Sequence, residues 1–399
     1  MKIALRNVMR NKRRSLLSLL IIISGVAILY LVNGYKSYVY SGMGLQAIIQ
    51  YGDFQIAKPE FWRENTDQNY LLAEGEIEQL AGILKKDRNV KEYTPEIKFS
   101  GVLGTEKRST MISGTGVIPG STRCQNLAIQ EGVNLFENDT DQVLIGRGIM
   151  KKLDLKIGEW VNLMVATGDG AYNAGSLRVA GSFSTGNRDA DNYYIILPLS
   201  FAQGLLNTTG VDKIIVYLND SHQYPHTASF IKNLCRLEKV KITMKSWQDL
   251  ATLYKEVRAM FNLIFLFLSV VIFILVFLST FEIMSMAFFE RMKEIGTIRA
   301  IGTKWTQVFW LLIQEAFILG GVGGILGIMT GWGLGLFINR LGITYYPPTI
   351  SQPIPLGIEL SLENCYFPVG IVIFSAVLSA LNPAVKASRL NVVEMFRHE

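Results

Sequence analysis

Histidine and cysteine are nearly missing from this chain, with three of each among 399 residues. Little is therefore available for a metal centre or a nucleophilic site. His222 and His226 have the four-residue spacing of two ligands on one helix face, but Pro225 stands between them and no carboxylate adjoins either. Ser113, Ser121 and the serines around them have no histidine at a suggestive position. No GxxxxGK[ST] motif occurs, so the chain does not hold ATP by that route. With no metal site or catalytic group indicated, the sequence does not read as an enzyme, and no cofactor is expected on it. A disulfide between Cys124 and Cys235 stays open beside the reading of two buried free thiols, and Cys365 lies far along the chain. Charged residues make up only 18% of the chain, against 49% hydrophobic.

The apolar excess collects in four runs, at residues 16–32, 260–281, 311–338 and 367–381. A helix needs about 20 mainly apolar residues to cross a bilayer. The second and third runs reach that length, the first needs its polar flanks, and the fourth extends to about Cys365 and Ala387. Lys2, Arg6, Arg10, Lys12, Arg13 and Arg14 precede the first run without an acid among them, which places the N-terminus in the cytoplasm. Residues 36–258 are neutral, with 25 basic and 25 acidic side chains. Arg291, Lys293, Arg299 and Lys304 mark the connector between runs two and three as cytoplasmic, and Lys386, Arg389 and Arg397 do the same for the tail. The net charge of +6 thus reflects topology, and nucleic acid is not an expected partner. No small-x-small cleavage site follows the first run before Lys36, so it reads as a retained signal anchor.

The expected class is an α-helical membrane protein with four transmembrane helices and a large α/β exterior domain inserted between helices 1 and 2. The segments are 1–35 (cytoplasmic N-terminus and first helix), 36–258 (exterior domain), 259–289 (second helix with a stalk), 290–306 (cytoplasmic connector), 307–340 (third helix), 341–366 (outer loop with Pro347, Pro348, Pro353 and Pro355) and 367–399 (fourth helix and tail). Within the exterior domain, strands are predicted at 52–58, 97–102, 142–145, 160–165, 176–183, 194–197, 214–218 and 240–244, and helices at 73–84, 146–153, 201–206 and 227–237. Residues near 120–190, rich in glycine and β-formers, suggest an inserted lobe. Ser246, with Asp249 three residues on, is a good N-cap. Nothing after it breaks a helix before Gly296, so 246–289 is expected as one rod of roughly 65 Å.

The most informative stretch is ERMKEIGTIRAIG, residues 290–302. Ile295, Ile298 and Ile301 recur every three residues along one helical side, and Arg291, Glu294 and Arg299 keep other faces polar. Such a segment between two membrane spans is either a solvated loop helix or a docking surface for a soluble partner. In the third run, Gly323, Gly327, Gly331 and Gly335 hold strict four-residue spacing, with Gly320 and Gly324 beside them. Small residues at that spacing let helix backbones approach closely, and packing within the subunit and a dimer seam both remain open. Glu282 and Glu315 fall near the cytoplasmic ends of their spans and are read as structural rather than proton-carrying.

These residues match a known family. ALRNVMRNKRRSLLSLL, QVLIGRGIMKKLDLKIGEWVNL, LRVAGSFSTGNRDADNYYIILPLSFAQGLL, ERMKEIGTIRAIG, QEAFILGGVGGILG and NPAVKASRLNVVEMFR together resemble the permease subunits of MacB/FtsX-like ABC transporters, most closely the lipoprotein-releasing (LolC/LolE-like) permeases. The resemblance covers nearly the whole chain. It implies an inner (cytoplasmic) membrane location, a dimer with a second permease of the same or a homologous chain, and a separate ABC ATPase dimer that carries the ATP and Mg. It makes 290–302 the coupling helix, with Glu290, Arg291, Glu294, Ile295, Gly296, Arg299 and Gly302 on the family motif. It also implies mechanotransmission, in which ATPase closure reshapes the periplasmic domains. Met43, Leu45, Phe261 and Ile264 are placed by depth at the mouth of an apolar substrate cavity. The expected function is release of lipoproteins from the inner membrane, with membrane lipids around the site and a periplasmic chaperone or adaptor as a further partner. One departure concerns that chaperone: the stretch ATGDGAYNAGS at 166–176, matching a docking hairpin of one permease type, looks shorter and has no proline. The rival readings are a MacB-like exporter of peptides or amphiphiles and a non-transporting membrane regulator.

Overall fold

The computed structural model describes residues 12–63, 70–290, 292, 296–297, 300–345 and 354–389. It divides into two compact units, one holding the long helices and the other built mainly on Gly42–Lys255. Helix α1 (Lys12–Tyr51) has 40 residues without a proline, well beyond the apolar run at its start. It ends at Gly52, whose φ of +71° takes the left-handed turn and whose N–H meets Ile48 O at 2.8 Å. The chain then builds β1 (Phe54–Ala57), α2 (Glu74–Leu84), β2 (Val90–Gly104), β3 (Ser109–Val117), β4 (Ala128–Gly132), β5 (Gln142–Gly146), α3 (Arg147–Leu153), β6 (Trp160–Ala166), β7 (Tyr172–Ser184), β8 (Tyr194–Pro198), α4 (Leu199–Leu206), β9 (Lys213–Leu218), α5 (Tyr224–Leu237) and β10 (Thr243–Ser246). The remaining long helices are α6 (Thr252–Glu290), α7 (Trp305–Leu341) and α8 (Glu363–Arg389). All four long helices have the length and apolar character to cross a membrane.

The expected continuous rod from Ser246 is interrupted. Ser246 and Asp249 form a capping box, but around a single turn, Trp247–Leu250. Ala251, with ψ of 78°, then leaves helical geometry before α6 begins at Thr252. Ala251 is buried, so packing fixes the bend where sequence alone offers no breaker. The last exterior strand also lies later than expected, at Thr243–Ser246, because its register is set by antiparallel pairing with β1 from Phe54↔Ser246 to Ala57↔Thr243.

In the exterior unit, β10, β1, β9 and the first half of β2 make an antiparallel sheet. One face buries Phe54, Ile56, Ile214, Val216 and Leu218 against α2 and α5. The second half of β2 continues into a closed ring: β2 pairs β3, β3 pairs β8, β8 pairs β5, β5 pairs β7, β7 pairs β6, and β6 returns to β2. Alternate residues of these strands fill a core of Phe99, Leu103, Ile145, Leu163, Val179 and Leu197 with their neighbours. Strands β3 and β4 carry weak β signals, and β3 reads STMISGTGV; its Gly114 leaves room for the Phe99 ring. Residues outside 120–190 therefore help to build this ring. Cys124 and Cys235 are both free and sit in different cores. Burial pushes each thiol up to about 11.

The other face of the four-stranded sheet is polar, yet it too is buried. Glu96 meets Arg123 Nε at 3.2 Å and Lys213 Nζ at 3.5 Å, and Lys213 also donates to Gln55 Oε1 at 3.2 Å. The Glu96–Arg123 approach is an ion contact whose geometry falls short of a hydrogen bond. Arg123 Nη1 and the Tyr217 hydroxyl both donate to Ile49 O, at 3.4 and 3.3 Å, closing a terminal carbonyl of α1. Burial lowers the Lys213 ammonium to about 8 and raises the Asp212 carboxyl to about 6. The Asp212 carboxylate accepts the Lys98 N–H at 2.5 Å.

Candidate functional site

The motif at 290–302 starts on the last residue of α6, the exposed Glu290. Arg291, Glu294, Ile295 and Arg299 lie outside the described residues, as does Ile298. Met292 is buried with Met284 and Phe288 of α6, Val308 and Leu312 of α7, and Ala380 and Ala384 of α8. A thioether in that three-helix core fixes the start of the motif to the ends of the spans. Gly296 is buried and Thr297 exposed; Ile301 N–H bonds Thr297 O at 3.1 Å, one helical turn back. Ile301 itself is 82% exposed, an apolar side chain presented to solvent. Gly302, at φ +107°, then turns the chain, and the Gln307 carboxamide oxygen accepts the Lys304 N–H at 3.1 Å before α7. Among the described residues, the motif and turn hold Ile301 outward on an anchored segment, a geometry suited to seating a soluble partner. Glu315 is buried in α7 near this core, whereas Glu282 is exposed on α6.

The glycine ladder of α7 lies against α1 within the same subunit. A Cβ on Gly327 would stand 2.6 Å from Val26 Cβ, and one on Gly331 3.0 Å from Tyr30 Cδ1. Gly323 faces Ile22, and Gly335 faces Leu360 and Leu31. Gly320 and Gly324 take α8 instead, against Ile373, Ala376 and Val369. The four-residue spacing thus serves contact inside the chain.

The residues expected at a cavity mouth differ from one another. Phe261 packs on Tyr35 and Tyr40 of α1, with ring centroids 5.8 and 6.2 Å apart, so it belongs to an α1–α6 seam. Ile264 and Leu45 are exposed, and Met43 is half-buried. Near the outer ends of the spans, Asn33 Nδ2 donates to Asn364 Oδ1 at 3.0 Å and Ser37 Oγ to the same oxygen at 3.1 Å. Sequence reasoning missed this pair, since an Asn inside an apolar helix does not name its partner. In the exterior unit, β6 and β7 form a hairpin paired from Trp160↔Arg178 to Ala166↔Tyr172, with Thr167 N–H on Ala171 O closing the tip. Beside it lies an open groove of about 470 Å³, lined by Val102, Met111, Ile112, Met164 and Tyr172 among others. Met111 and Tyr172 are 81% and 73% exposed, so the groove is an adaptable apolar surface.

Comparison with known families decides the assignment. Residues 15–234 match the MacB-like periplasmic core domain, and residues 266–392 the FtsX-like permease C-terminal family. The chain belongs to the MacB/FtsX-like ABC transporter permeases. This permease is a multi-pass protein of the cytoplasmic membrane with a MacB-like periplasmic domain. It is 24% identical to an uncharacterized ABC transporter permease of Methanocaldococcus jannaschii, over 99% of this chain and 97% of that protein. It is 24% identical to the macrolide export ATP-binding/permease protein MacB of Wolinella succinogenes, over 98% of this chain and 60% of MacB. It is 22% identical to the lipoprotein-releasing system transmembrane protein LolE of Haemophilus influenzae, over 78% of each chain. Two further curated relatives are matched over only 37% and 33% of their own length.

Proposed function

We propose that this permease is the transmembrane subunit of a lipoprotein-releasing-type ABC transporter, paired with a second permease and driven by a separate ATPase dimer that binds ATP and Mg. The observation that carries the coupling role is the anchored motif: Met292 sits in the core of α6, α7 and α8, while Ile301 faces solvent just before the Gly302 turn. Motion imposed on that segment by an ATPase would enter three spans at once. Glu290, Arg291, Glu294, Ile295, Gly296, Arg299 and Gly302 form the docking element in this reading. Ile264, Leu45 and Met43 face an amphiphilic substrate. The groove beside the β6–β7 hairpin offers an apolar face to a periplasmic chaperone or adaptor.

A second reading, export of peptides or amphiphiles from the periplasm, is favoured by the match to MacB along 98% of this chain.

Gentle affinity purification of the permease from native membranes, with mass spectrometry of what is retained, tests both. An ATPase with acylated lipoproteins supports lipoprotein release. An ATPase with a periplasmic adaptor or outer-membrane channel supports export. Repeated loss of any ATPase in lipid-preserving preparations overturns both and favours a regulator. Glu294→Lys should keep membrane insertion but uncouple ATP hydrolysis, and normal ATP-driven release by that variant would remove the coupling assignment.

A further inference from the structure

We infer that Lys36 and Arg258 form a site for a phosphate-bearing anion at the outer boundary of the membrane, of the kind a phospholipid head group presents. The two cations lie on the seam between α1 and α6. The Tyr40 hydroxyl donates to Arg258 O at 3.0 Å and lies 3.2 Å from Asn262 Oδ1. Phe261 packs on Tyr35 and Tyr40 in the same seam. Lys36, one turn before Tyr40, holds Nζ 4.3 Å from the centroid of Phe265. The Arg258 guanidinium carbon is 5.9 Å from the Tyr40 ring. Each charge is thus held near a ring: that of Tyr40 packs on Phe261, and that of Phe265 on Phe367 of α8.

Depth and chemistry specify the ligand. Arg258 precedes the apolar run 260–281, and Lys36 follows the run 16–32, so both mark the outer ends of adjacent spans. Lys36 sits alongside Phe265, a residue within the apolar run, where an ammonium is costly unless it reaches water or an anion. Among the described residues, neither side chain forms an ion pair or a side-chain hydrogen bond. Glu359, on the neighbouring loop, accepts Ser41 Oγ at 3.3 Å. A cation–π contact compensates only part of the cost of desolvation. Basic residues set topology at the cytoplasmic ends of spans, so a pair at the outer ends is not needed for orientation. Lys36 is half-buried and Arg258 exposed, which leaves the pair open on one side. A guanidinium fork and an ammonium on one helix seam suit phosphate oxygens, and lipid phosphates are the abundant anions at this depth. Soluble phosphate carries the same chemistry.

The test uses the full chain in nanodiscs containing equal phosphatidylglycerol and phosphatidylcholine of matched acyl chains, with retained lipids counted by native mass spectrometry. The wild-type chain should retain phosphatidylglycerol preferentially, with the preference falling about five-fold for each cation removed in Lys36→Gln and Arg258→Gln. Lys36→Arg with Arg258→Lys keeps both charges and should keep the preference, which separates a lost anion site from disturbed packing. Lys107→Gln, on the loop between β2 and β3, should change nothing. Millimolar inorganic phosphate distinguishes the source: a preference that survives it marks a lipid site, and one that it abolishes marks a site for soluble phosphate. Equal retention of the two lipids by the wild-type chain, or an undiminished preference in the doubly neutralised variant, would overturn the inference and leave two solvated cations.

Discussion

Arg123 reaches Glu96 at 3.2 Å while both side chains are almost withdrawn from water, at 10% and 2% exposure. The same guanidinium donates to Ile49 O in the last turn of α1. Removing one partner of such a pair is costly because the other charge stays buried, whereas replacing both is much milder. Arg123→Met should therefore destabilise the exterior unit by about 3 kcal/mol, near the low end for buried pairs because Lys213 still faces Glu96. Adding Glu96→Gln should not recover that loss, because it also takes the carboxylate away from the buried Lys213 ammonium. Urea unfolding of the full chain in detergent, followed by circular dichroism, measures both.

The pH dependence has a definite sign. Asp212 is raised from its ordinary value of 3.8 to about 6, so the folded chain holds a proton that the unfolded chain has released. Stability should fall as pH rises from about 4 to 6, with the full penalty present above 6. Lys213 is lowered from 10.5 to about 8, so its penalty is complete below 8 and fades between 8 and 10.5. Asp212→Asn should flatten the acid limb, worth about 3 kcal/mol at most. Melting temperatures taken across the range would show this, and an unchanged acid slope in the variant would contradict it.

Two glycines of α7 should respond in opposite directions. Gly327→Ala forces a methyl group against Val26 and Ile23 O and should cost about 1–3 kcal/mol. Gly333→Ala meets nothing within 4 Å and should gain up to about 1 kcal/mol in helix propensity. Thermal unfolding of the detergent-solubilised permease compares them. Equal effects would mean that the α1–α7 contact does not depend on close approach.

At the motif, Ile301→Asp should lower retention of the ATPase by about ten-fold, as expected for an apolar anchor, and leave insertion intact. Gly302→Val should strain the backbone by about 1–3 kcal/mol through its positive φ alone, since no atom crowds that position. Co-purification and ATP turnover of the assembled complex report the two effects separately.

Much of this architecture is legible in the sequence where one physical signal dominates. The four apolar runs lie within α1, α6, α7 and α8, alternation locates β6, and short continuous apolar runs locate β8 and β9. Signals fail where context decides. Strand β3 contains Gly114 and Gly116 because neighbours need the space, and its composition therefore conceals a strand. Helix α1 runs on through the polar residues 36–51, where hydropathy has already faded. Ser246 and Asp249 announce a helix start correctly, but nothing in their neighbourhood announces the bend at Ala251. The glycine ladder is visible as a pattern, while its partner, Ile22 to Leu31 of the same chain, is not. Likewise the ion pairs of Glu96 join residues far apart in sequence, and no local periodicity points from one to the other.

The first and last strands of the exterior unit lie side by side, with Phe54 of β1 opposite Ser246 of β10. A polypeptide loop whose two ends emerge as neighbours can be cut out and rejoined with little disturbance on either side. An insert joined in this way can be exchanged as a cassette, changing what the exterior domain recognises while the sequences of α1, α6, α7 and α8 stay as they are.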